Sequence, residues 1–120
     1  FILGKGLNDA MRRAEAYSRS GADAILIHSK EKHPNQIYSF SKNFRKNKFF
    51  KPLIAIPSTY SKTYERELIS NGFKIVIYAN HFLRVIHPAM VNAAKMILKK
   101  QRSFEAEKKM SSINEVINLI

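Results

Sequence analysis

Cysteine is absent from the 120 residues, which excludes disulfides and thiolate metal sites within this stretch and fits a reducing compartment. Long apolar runs are missing too: nothing approaches the roughly 20 residues that span a bilayer, and the apolar opening "FIL" lacks the length and charged flank of a signal peptide. The chain is therefore expected to be cytoplasmic, with no membrane partner. Acidic residues are scarce, 9 against 21 lysines and arginines, for a net charge of +12. No initiator Met precedes Phe1, and the first element reads as a helix whose strand would lie upstream, so the sequence is read as a fragment. What remains, 45% hydrophobic and 25% charged, is the composition of one soluble globular unit.

A strongly basic chain raises nucleic acid as a partner. The distribution argues against it. The densest stretch, "KNFRKNKFFK" at residues 42–51, interleaves Phe44, Phe49 and Phe50 with lysines, but Phe44 falls in helical register with Ile37, Phe40 and Ser41 as a buried face, and no nucleic-acid motif accompanies it. A solvated face, or a positive field for a small anionic substrate, is the expectation, with no nucleic acid bound.

Along the chain, helical and strand-like patterns alternate. Residues 8–20 place Leu7, Ala10, Met11, Ala14 and Tyr17 on one stripe, with Gly21 where a left-handed C-terminal cap belongs. "ADAILIH" is a continuous apolar run, as in a parallel strand covered on both faces. Pro34 opens a helix carrying Ile37, Phe40 and Phe44 to about Arg45. "PLIAIP" (52–57) is a second strand, and "SKTYERELISNG" a helix with Leu68 and Ile69 inward and Gly72 as its stop. "KIVIYA" (74–79) is a third strand. From Asn80 a longer helix runs toward Gln101 with Leu83, Ile86, Met90, Ala93 and Ile97 in register and Pro88 as a kink or restart, and in "SSINEVINLI" Ser112 and Glu115 form a capping box. Three strand-then-helix units specify parallel α/β structure with right-handed crossovers, about half of an eight-stranded barrel.

Polar residues that follow apolar strands are the candidate site, because barrels gather their chemistry at the C-terminal strand ends. His28 is the foremost, with Ser29 and Lys30 behind it and Ser58 after the second strand. Asn80, His81 and Arg84 follow the third strand, where an N-cap role for Asn80 is favoured. His33 and His87 lack partners at metal-ligand spacing and are read as structural.

"FILGKGLNDAMRRAEAYSRSGADAILIHSK", then "IPSTY", then "IYANHFLR" resemble, in that order, the second half of the phosphoenolpyruvate mutase branch of the isocitrate lyase superfamily. Related carbon–carbon lyases typically end the equivalent of "AILIH" on an acidic residue and have Asn-x-Thr where this chain has "IPSTY". The resemblance implies the C-terminal half of a modified (β/α)8 TIM barrel over residues 1–101, then a linker and short terminal helix over 102–120. It also implies a dimer or tetramer formed by helix exchange. His28 is expected to act in catalysis and substrate binding, with Ser29 and Ser58 as further substrate contacts and no metal ligand in this segment. The implied reaction interconverts phosphoenolpyruvate and phosphonopyruvate and forms the P–C bond of phosphonates. Mg2+ and the phosphoryl-accepting carboxylate are expected upstream, so the segment alone is expected to be inactive. Phosphonopyruvate hydrolase is the alternative, against which stands Ala79 where the hydrolase pattern tends to Gly. A non-catalytic barrel or oligomerisation segment is a further one.

Overall fold

A computed structural model describes residues 1–119. They divide into two compact units, residues 1–79 and residues 80 onward. In the second unit the long helix packs on the short helix that follows it.

The first unit comprises helix α1 (Gly6–Arg19), strand β1 (Ile25–Ile27), helix α2 (Asn35–Phe44), strand β2 (Leu53–Ala55), helix α3 (Glu65–Ser70) and strand β3 (Phe73–Val76). All three strands are parallel, in the order β1-β2-β3. Helix α1 ends as its sequence dictates: Gly21 sits at φ +99°, its N–H reaches the Ser18 carbonyl, and the Ala22 N–H reaches that of Tyr17. Only a residue without a Cβ adopts that turn cheaply.

One face of the sheet is covered. Ile25, Ile27, Leu53, Ala55 and Phe73 pack with Ala10 and Ala14 of α1, Ile37, Phe40 and Phe44 of α2 and Leu68 of α3 in a single buried cluster. Burial of each of these larger side chains is worth about 1.5–3 kcal/mol. On the other face, Leu26 pairs with Ile54 and Ile54 with Ile75, and Leu26 and Ile75 are 47% and 46% exposed. The runs expected to be covered on both sides are covered on one among the described residues. The β2–β3 ladder is irregular: Leu53 aligns with Phe73 but Ile54 with Ile75, so Lys74 is passed over.

Three local expectations differ. The third helix begins four residues later than its pattern suggested, because the Thr63 N–H turns back to the Tyr60 carbonyl and Tyr64 is extended at ψ 149°. Ile69 lies exposed rather than inward. Tyr17, expected on the buried stripe of α1, is half exposed and accepts a hydrogen bond from Arg13.

The second unit holds helices α4 (His81–Lys100), α5 (Phe104–Glu107) and α6 (Ile113–Ile117). Helix α4 runs continuously through Pro88 and has no buried residue, so of its in-register stripe Leu83, Ile86, Met90 and Ile97 are exposed and Ala93 is partly buried among the described residues. Helix α6 opens on the expected capping box: the Glu115 N–H donates to Ser112 Oγ at 3.2 Å, and the Ser112 N–H donates to the Glu115 carboxylate at 2.7 Å. Among the described residues, no helix is long and apolar enough to cross a membrane.

Candidate functional site

His28 leaves β1 one residue beyond the Ile27–Ala55 pair, at the C-terminal edge of the sheet. It is half buried, and its Nδ1 is shielded from solvent. Burial lowers the imidazole pKa below its ordinary value, and a hydrogen bond with the Ile56 backbone works in the opposite sense. Burial therefore favours the neutral ring. It lines a cavity of about 220 Å³ with Leu26 of β1 and Asp9 and Arg13 of α1.

Ser29 is fully buried, and its hydrogen bonds are made within the protein. Its hydroxyl donates to Gln36 Oε1 of α2 and accepts from the Glu31 N–H at 3.1 Å, while its carbonyl accepts from Thr59 Oγ1 at 2.6 Å. These bonds fasten the loop after β1 to α2 and to the loop after β2. Ser58 is half buried at the start of that second loop, its N–H turned back to the Ile56 carbonyl at 2.9 Å and its hydroxyl shielded without a partner.

Two residues of the same loop, Thr59 and Tyr60, escaped the sequence reading. Tyr60 is fully buried, and its ring is tilted against that of His28 with centroids 6.0 Å apart. Burial pushes its hydroxyl pKa up to about 12; the Ile56 backbone lowers it and nearby Tyr38 raises it. The only textual signal was their place in "IPSTY". Buried polar atoms are normally partnered, so the shielded Ser58 Oγ, without a partner among the described residues beside the end of β2, marks this edge as a candidate site.

Asn80 stands at the N-cap position of α4 without a side-chain capping bond, although its carbonyl accepts from the Arg84 N–H. His33 and His87 are exposed. The described residues do not fit Mg2+, which prefers carboxylate and other oxygen ligands: they contain no group of three His, Cys, Asp or Glu side chains able to hold a metal ion.

Residues 1–98 match the family described as phosphoenolpyruvate phosphomutase. The chain is 37% identical to the phosphoenolpyruvate phosphomutase of Tetrahymena pyriformis, over 99% of this chain and 39% of that protein. It is 34% identical to the phosphonopyruvate hydrolase of Variovorax sp. (strain Pal2), over 98% of this chain and 40% of that protein. A crystal structure of phosphonopyruvate hydrolase in complex with oxalate and Mg2+ superposes with a TM-score of 0.84 at 34% identity, covering 98% of this chain and 41% of that one. The chain thus spans about two-fifths of the length of the curated relatives it matches.

Proposed function

The chain belongs to the phosphoenolpyruvate phosphomutase family, and from that membership we propose that it forms one wall of an active site interconverting phosphoenolpyruvate and phosphonopyruvate. The observation that carries this reading is the placement of His28, half buried at the C-terminal end of β1 with its Nδ1 shielded from solvent. A neutral imidazole has one N–H, and in a water-poor cleft that donor interacts with a carboxylate or phosphoryl oxygen far more strongly than it would in bulk water. His28 is the group that touches substrate in this proposal. Ser58 Oγ offers a second donor, while Ser29, fully buried, orients the loop that carries His28.

Phosphoryl transfer between oxygen and carbon depends on positioning and charge neutralisation more than on covalent help from the protein. Mg2+ and the accepting carboxylate belong, in this reading, to parts of the barrel outside the described residues. The same holds for the exchange of a terminal helix between subunits. Hydrolase activity is the second reading, supported by the 34% identity to the Variovorax enzyme. The two reactions differ in whether water reaches the phosphoryl group during transfer.

The test follows phosphonopyruvate with the full-length enzyme and Mg2+ by phosphorus NMR. Phosphoenolpyruvate with little free phosphate is expected, whereas pyruvate and phosphate as main products would establish the hydrolase. Replacing His28 by Ala should cost about 2–4 kcal/mol in kcat/KM, the scale of one lost preorganised donor. Wild-type kinetics in a folded His28→Ala protein would remove His28 from the site.

A further inference from the structure

We propose that Tyr60 is a positioning residue for His28, its buried ring forming the wall that fixes the imidazole and keeps water from it, with Thr59 as a second hook on the same loop. The inference rests on the reading of His28 as the substrate contact. Three observations converge on it.

The first is packing. Tyr60 is fully buried while His28 is half buried, and their rings meet in a tilted pair at 6.0 Å, within the range of favourable aromatic contacts. One side of the imidazole therefore faces a side chain that cannot move without disturbing the core. The second is tethering. Thr59 Oγ1 donates to the Ser29 carbonyl at 2.6 Å, binding the residue before Tyr60 to the residue after His28, and the Thr63 N–H closes a turn on the Tyr60 carbonyl. Both ends of the ring contact are thus fixed by backbone-anchored hydrogen bonds. The third is the Tyr60 hydroxyl, which is buried against the Ile56 backbone. It does not bond His28, so the ring, and not the hydroxyl, does the positioning.

The groups that face His28 are few. Ile56 contributes only its backbone, Tyr60 is neutral, and Asp9 and Arg13 of α1 share the cavity that His28 lines. Loss of the Tyr60 ring would admit water to the imidazole, and its pKa would rise toward the value of an exposed histidine.

The experiment uses the full-length enzyme labelled with 13C at histidine Cε1, with the His28 resonance assigned by its loss in His28→Gln. Titration and steady-state kinetics are compared for wild type, Tyr60→Phe, Tyr60→Leu and Thr59→Val. Tyr60→Phe keeps the ring and should leave the His28 titration in place and kcat within about twofold, a change worth about 0.4 kcal/mol. Tyr60→Leu should move the His28 midpoint upward and lower kcat about tenfold or more, with a smaller change in KM. Thr59→Val should shift both in the same direction by less. An unmoved His28 titration and kcat in folded Tyr60→Leu would overturn the proposal, reducing Tyr60 to a core residue. If Tyr60→Leu does not fold, Thr59→Val decides: an unmoved titration there overturns it equally. Since the titration needs no turnover, a shifted His28 in a protein that shows neither mutase nor hydrolase activity would sustain the positioning role while removing the proposed reaction.

Discussion

At the scale of single residues, His28 links the site to stability. Its folded pKa lies below the ordinary value, chiefly through burial. Above the ordinary value both the folded and unfolded states hold a neutral ring, and its titration costs nothing. As pH falls through the ordinary value the unfolded chain binds the proton first, so stability declines until the folded ring also titrates. The melting temperature of the full-length protein should therefore drop more steeply between about pH 7 and pH 5 in wild type than in His28→Gln. Parallel curves would show that burial of His28 has no thermodynamic consequence. Ser29 shows the opposite use of a polar group. Its hydroxyl both donates and accepts within the protein, which is why full burial costs it little.

At the scale of elements, the turn between α3 and β3 shows how tightly a loop can constrain its residue. Gly72 holds φ +91°, and an added Cβ would stand 3.1 Å from Ser41 Oγ and 3.2 Å from the Arg45 side chain. Ser41 cannot give way freely, because its hydroxyl donates to the Asn71 carbonyl. Gly21 has a comparable φ of +99° but open space around its missing Cβ. Both substitutions by Ala carry a left-handed backbone cost of about 1–2 kcal/mol, and Gly72→Ala adds a steric one, so urea unfolding of the full-length protein should rank it the more destabilising. Equal midpoints would mean that the Arg45 side chain moves aside without cost. These two glycines, like the three apolar strands and the stripe of Ile37, Phe40 and Phe44, were legible in the sequence because each is a local signal. His28 was legible because a polar residue closing an apolar run is conspicuous. Thr59 and Tyr60 were not: their partners, Ser29 and His28, lie some 30 residues away, and no periodicity encodes a contact between two loops. The late start of α3 was hidden for a related reason, since Ser61–Thr63 suits a helix locally but the chain there is held in a turn on Tyr60.

At the scale of the molecule, the sheet of the first unit has one covered face, and on the other Leu26 and Ile75 are about half exposed among the described residues. Residues 1–120 expressed alone expose Leu26, Ile75 and Ile77 on β1 and the β3 segment, and the apolar residues of α4 as well. Such a segment should self-associate or bind a hydrophobic dye; a monomer that melts cooperatively and ignores the dye would show that the open face needs no cover. The place where Lys74 is passed over bears on what that face is made of. Strand residues alternate between faces, so in an unbroken ladder Lys74 would align with Ile54 and carry a charge into the row begun by Leu26. The single extra residue works like a frameshift with no change of text: upstream of it β3 is read in one phase, with Phe73 beside Leu53, and downstream in the other, with Ile75 beside Ile54 and Val76 beside Ala55. A strand whose letters spell a lysine beside Ile54 thereby delivers an isoleucine there.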